Sequence, residues 1–127
     1  MRYEKNPYLR FEVMDVRKMS LSDKSASLVL DKGTADSIKC SQDYHIGMED
    51  YLREVSRVLK PETGVFICIS YGIPYIMLKF LNKPEYKWKI EIKKIAKQIK
   101  EEIEEESNED DESSCKYLIS KRNKESC

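Results

Sequence analysis

The sequence predicts an α/β fold organised on parallel strands, and three observations carry that expectation. Leu28, Val29 and Leu30 form a short apolar run that leads into Asp31, Lys32, Gly33 and Thr34. Val65, Phe66, Ile67, Cys68 and Ile69 form a second continuous run. Between them, Met48, Tyr51, Leu52, Val55, Val58 and Leu59 recur at helical spacing. Apolar runs without alternation fit strands buried on both faces, as in a parallel sheet covered by helices. Strand, helix, strand is then a βαβ unit with a right-handed crossover. The polar cluster after Leu30 falls at a strand's carboxyl end, where open α/β sheets place their ligand crevice. Gly33 there serves a sharp turn or the close approach of a ligand. An ordinary polar loop after a strand has the same composition.

The 127 residues make one domain with a modest core. Lys and Arg number 23, as do Asp and Glu, so no net field draws the chain to nucleic acid or a membrane surface. No apolar stretch approaches membrane-spanning length, and the start, Met1 to Lys5, is not that of a signal peptide. Cys40, Cys68, Cys115 and Cys127 lack C-x-x-C spacing. They read as free thiols in a reducing, cytoplasmic setting, not as a metal site or a disulfide framework. His45 is the single histidine, lies in a predicted loop, and is given no role.

Along the chain, Asn6-Pro7 marks a turn. Leu9, Phe11 and Val13 then alternate with polar neighbours, which predicts a strand ending near Asp15, Val16 and Arg17. Residues 20–27 are turn formers, and 37–47 read as a loop. The central helix begins near Met48, carries Glu49 and Asp50 in its first turn and Lys60 in its last, and stops at Pro61. Pro74 is placed to open a helix carrying Tyr75, Ile76, Leu78, Phe80 and Leu81. Tyr86, Trp88, Ile90 and Ile92 alternate as a half-exposed strand. From Ile92 the period turns helical through Ile95, Ala96, Ile99 and Ile103. Residues 101–114 are almost wholly Glu, Asp, Ser and Asn, an acidic loop insertion. Tyr117, Leu118 and Ile119 make a last short strand.

Three segments in this order resemble the class I, seven-strand S-adenosylmethionine-dependent methyltransferases. They are Met14-Asp15-Val16-Arg17, the run from Ala26 through Asp31-Lys32-Gly33-Thr34, and Glu54-Val55-Ser56-Arg57-Val58-Leu59-Lys60-Pro61. Within that superfamily, the Asp-Lys-Gly-Thr-x-Asp signature ending at Asp36 and the Glu-Val-Ser-Arg-Val-Leu helix are similar to the branch that methylates lysines of translation elongation factor 1-alpha. The resemblance covers about residues 8–92 and the final strand.

The resemblance implies roles. Asp15 matches the acid after the family's third strand, whose carboxylate accepts the adenine amino group; the Val16 N–H would serve an adenine ring nitrogen. Asp31 and Lys32 match the end of the fourth strand, beside the cofactor's methyl–sulfonium end, and are the catalytic candidates. An acid there suits a sulfonium and an incoming lysine, which must arrive deprotonated and in line, so the protein mainly supplies orientation and a fitted field. The same residues have simpler readings: Asp15 capping a turn, Asp31 and Lys32 pairing with each other or with solvent.

The family's glycine-rich loop and its ribose-binding acid have no counterpart in these 127 residues, and Ser27 stands where the family has an acid. The resemblance therefore implies an incomplete, Rossmann-like sheet, the carboxyl-terminal portion of the domain without its first two strands. In the family's sheet order, 3-2-1-4-5-7-6, their loss isolates the strand at 9–15 and opens an edge on the strand at 28–31. Such an edge invites a second copy. The expected function is methyl transfer from S-adenosylmethionine to a protein lysine, elongation factor 1-alpha being the partner the branch implies, with the chain alone inactive. The alternatives are a non-catalytic binding or dimerisation module and a small-molecule methyltransferase.

Overall fold

The computed structural model describes residues 6–71 and 74–93. Two strands, β1 (Leu28–Lys32) and β2 (Val65–Ile69), pair in parallel with Leu28 opposite Val65 and Lys32 opposite Ile69. The chain leaves β1 through α1 (Thr34–Lys39), crosses back through α2 (Tyr44–Val58) and returns to β2. α3 (Pro74–Leu81) and a 3-10 turn at Pro84–Tyr86 follow.

α2 forms where the apolar spacing places it, and begins one turn earlier. Its buried face presents Met48, Tyr51, Leu52, Val55 and Val58. Met48, Tyr51, Leu52 and Val55 share one core cluster with Phe66 and Cys68 of β2 and with Met77, Phe80 and Leu81 of α3. Each fully buried Leu, Val or Met contributes about 1.5–3 kcal/mol relative to exposure. Trp88 stacks on Phe66 at 5.8 Å between ring centroids and donates its indole N–H to the Leu81 carbonyl at 2.8 Å. At the end of α2, Leu59 turns into extended backbone and bridges Ala26, just ahead of β1. Gly64 closes the return: a Cβ there would lie 2.5 Å from the Lys60 carbonyl oxygen.

Several expectations are corrected. Residues 9–13 form no strand. Phe11 and Val13 are 74% and 105% exposed, because alternation makes a strand only where another strand supplies hydrogen bonds and a face to cover. The strands are not buried on both faces. Val29 and Asp31 face α2's side of the sheet, whereas Leu28 and Leu30 are 54% and 62% exposed among the described residues. The loop expected over 37–47 holds the end of α1 and the start of α2. Over the strand expected at 86–92, the described residues show the end of the 3-10 turn and a single bridge residue, Trp88, whose ring stacks on Phe66. The helix expected from Ile92 through Ile103, the acidic insertion and the last strand lie outside the described residues from 94 onward.

Candidate active site

Asp31 ends the buried side of β1. Its carboxylate accepts the backbone N–H of Thr34 at 2.7 Å and of Ala35 at 3.0 Å. Gly33 makes this possible: with φ at 94° it turns the chain through left-handed backbone that disfavours other residues, so that α1 starts directly above the carboxylate. The Tyr51 hydroxyl of α2 donates to Asp31 Oδ2 at 2.5 Å, and the Cys68 thiol of β2 approaches the same oxygen at 3.8 Å. Burial pushes the Tyr51 hydroxyl well above its usual range, and the neighbouring Asp31 charge adds to it. Burial likewise raises the Cys68 thiol, with Asp31 adding again. Both therefore stay protonated and act as donors.

Lys32 is the next residue on the strand, and strand geometry sends it to the opposite, exposed side. Asp31 and Lys32 form no pair with each other, which removes that simpler reading of the two residues; no acid among the described residues meets Lys32.

The carboxyl end of β2 is held in a similar way. The buried Ser70 hydroxyl donates to Asp36 of α1, and the Tyr71 N–H donates to the other Asp36 oxygen at 3.2 Å. Lys39 joins the cluster at 3.2 Å from both Asp36 and Ser70. α1 is thus fastened to both strand ends through carboxylates.

Asp15 lies on an exposed turn closed by the Lys18 N–H on the Asp15 carbonyl at 2.9 Å. Its side chain caps that turn through the Arg17 N–H at 2.9 Å and accepts from Nε and Nη2 of the Arg17 guanidinium at 2.9 and 2.8 Å. The Arg17 hydrogen bonds hold the Asp15 carboxyl at about 2, against an ordinary 3.8. Val16 packs partly against the core. The Arg17 stem lies over Gly47 of α2, where a Cβ would stand 3.8 Å from Arg17 Cδ. Gly47 is one helical turn from Tyr51, which reaches Asp31. The first half of α2 therefore passes beside the Arg17 side chain and reaches the Asp31 strand end through Tyr51.

The Glu54–Leu59 motif does different work. Glu54 accepts the Met19 N–H at 2.6 Å and pairs with Arg57 at 2.8 Å. Arg57 reaches the Met19 and Leu21 carbonyls and Asp23. The pair fastens 19–23 to α2. A cleft of about 380 Å³ beside it, lined by Lys24, Arg53, Arg57 and Glu85 among others, includes none of Asp15, Val16, Asp31 or Lys32. Two of its cations, Arg53 and Arg57, are already paired with Asp50 and with Glu54 and Asp23, so the strand end remains the better candidate.

Tyr51, Cys68 and Asp36 went unassigned in the sequence. Tyr51 and Cys68 read as core positions, which they are; only the register of α2 on β1 aims them at Asp31. Asp36 stands within the Asp-Lys-Gly-Thr-x-Asp signature, and that spacing was its signal. Among the described residues, no group of three His, Cys, Asp or Glu side chains is arranged to hold a metal, and no helix is long and apolar enough to cross a membrane.

Comparison with known proteins points to methyltransferases. No family model matches the chain. Over 98 residues, 70% of the chain, it is 34% identical to the bovine protein named EEF1A lysine methyltransferase 4. The mouse protein of that name is 32% identical over 99 residues. The human eEF1A lysine and N-terminal methyltransferase is 29% identical over 105 residues, covering 80% of the chain and 15% of that protein. The chain spans 38% of the length of the bovine and mouse relatives. In fold, it superimposes with a TM-score of 0.56 on a Thermus thermophilus protein whose assignment as a DNA modification methylase is itself provisional, at 16% identity, covering 91% of this chain and 54% of that one. The resemblance to methyltransferases therefore holds in both sequence and fold, and the relatives it holds to are enzymes.

Proposed function

The chain belongs to the EEF1A lysine methyltransferase family, and we propose that it is the methyl-transfer and adenine-edge portion of an S-adenosylmethionine-dependent protein-lysine methyltransferase. The observation that carries the reading is the Asp31–Thr34 turn at the carboxyl end of a parallel strand, where α/β folds bind their ligands, in a chain similar to eEF1A lysine methyltransferases.

Asp15 and Val16 are the adenine contacts in this reading. Asp15 is exposed and ionised, and Arg17 takes three of the about four lone-pair sites a carboxylate offers, which leaves room for one more donor. The Val16 N–H has no partner among the described residues. The Asp31–Lys32 end lies toward the methyl group, with the bound cofactor supplying the electrophilic methyl. The chain's own residues orient the donor and acceptor and keep their charges matched. Elongation factor 1-alpha is the acceptor we propose, by kinship with the named relatives. A second copy of the chain is the partner we propose for β1, whose outer edge meets no strand among the described residues and whose Leu28 and Leu30 are exposed.

The test is transfer of tritiated methyl from S-adenosylmethionine to purified elongation factor 1-alpha by the protein expressed from its complete transcript. Acid hydrolysis should yield labelled methyllysine. Label on a small molecule only, or no label, overturns the reading.

A further inference from the structure

Four donors meet the Asp31 carboxylate: the Thr34 and Ala35 amides, the Tyr51 hydroxyl and the Cys68 thiol. An ionised carboxylate offers about four lone-pair sites. The Ala35 amide, the Tyr51 hydroxyl and the Cys68 thiol converge on Oδ2, the Thr34 amide takes Oδ1, and the residue is 3% exposed. Burial beneath the turn keeps this carboxylate from meeting an acceptor amine or a sulfonium directly. What these bonds fix is the turn above. They grip two successive amides, and between Asp31 and Thr34 the chain has only exposed Lys32 and left-handed Gly33.

We propose that Asp31 and Tyr51 form a buried lock that positions the Lys32–Gly33–Thr34 turn against the reacting groups, and that Asp31 is not the proton acceptor. This rests on the methyl-transfer reading above. Tyr51 is the positioning residue. Its hydroxyl comes from α2, the helix that also runs beside the Arg17 side chain at Gly47 and Asp50, so one helix neighbours both ends of the proposed cofactor site. Cys68 closes the third side from β2. Asp36 does the matching work at the end of β2, and the turn is thereby braced from both strands.

Tyr51→Phe removes the hydroxyl and keeps the ring. In the 127-residue chain, the amide resonances of Thr34 and Ala35 should move while the circular dichroism is unchanged. In the protein expressed from its complete transcript, Tyr51→Phe should lower kcat about tenfold and leave both KM values within about twofold, the pattern of an interaction that matters in the transition state. Asp31→Asn should behave similarly, and the double variant should fall no further than Asp31→Asn alone, because the two act as a unit. Collapse of kcat in Asp31→Asn with Tyr51→Phe unaffected makes Asp31 a direct participant and overturns the proposal. A lower unfolding midpoint in Tyr51→Phe with kcat intact reduces the bond to a structural one and also overturns it. If the unaltered protein transfers no methyl group, the methyltransferase reading fails, and unmoved Thr34 and Ala35 resonances in Tyr51→Phe would separately refute the lock.

Discussion

Arg17 closes a two-pronged ion pair on Asp15, and does so from two residues away on the same exposed turn. The residue expected to meet adenine is thereby kept ionised and held in one orientation before any ligand arrives. Its carboxyl sits at about 2, below the ordinary 3.8. A depressed carboxyl favours the folded turn fully above the ordinary value and loses that effect as pH falls through about 2. Carboxyl-detected NMR titration should find this midpoint, and Arg17→Ala should move it up toward 3.8. An unmoved midpoint would mean that Arg17 is not its cause. Global stability should change little, since exposed pairs contribute little.

The Glu54–Arg57 pair predicts a stability effect that a catalytic motif would not show. Arg57 bonds Glu54, Asp23 and two carbonyls of 19–21. Arg57→Ala should lower the unfolding midpoint by a few degrees and expose the amides of 19–26 to hydrogen exchange. The Arg57 hydrogen bonds hold Glu54 below its usual carboxylate range. Its contribution should therefore be present above the ordinary Glu value and fade as pH falls below it. Unchanged exchange at Met19, Lys24 and Ala26 would contradict the fastening role.

Much of this architecture was legible in the residues. The bounds of β2, the apolar face of α2 and the opening of α3 at Pro74 follow directly from period and punctuation. The strand over 9–13 and the two-sided burial of β1 did not follow, for one reason. A pattern of side chains states which faces could be covered, not whether a covering element is there. Phe11 and Leu30 are apolar at the right spacing and still face outward. α1 was hidden because it is six residues long and buries only Ala35. Asp31 was found for its place on the strand. Its engagement by Tyr51 and Cys68 depends on helix–sheet register, which no local pattern encodes.

The outer edge of β1 meets no strand among the described residues, and self-association there is the expected outcome. Sedimentation at rising concentration should show a growing dimer, and Leu30→Lys should abolish it without lowering the unfolding midpoint, because Leu30 is already 62% exposed. A species that stays monomeric throughout would leave that edge without the partner proposed for it.

The most direct test of the account is amide chemical-shift mapping of the labelled 127-residue chain with S-adenosylhomocysteine. These residues carry no Gly-x-Gly-x-Gly stretch to bring backbone close to the cofactor, so affinity should be weaker than micromolar and the ligand is needed in large excess. The account predicts that shifts concentrate at Asp15–Arg17 and at Lys32–Thr34, with Glu54 and Arg57 unmoved. Shifts confined to the cleft beside Arg53 and Arg57, or none at saturating ligand, would contradict it.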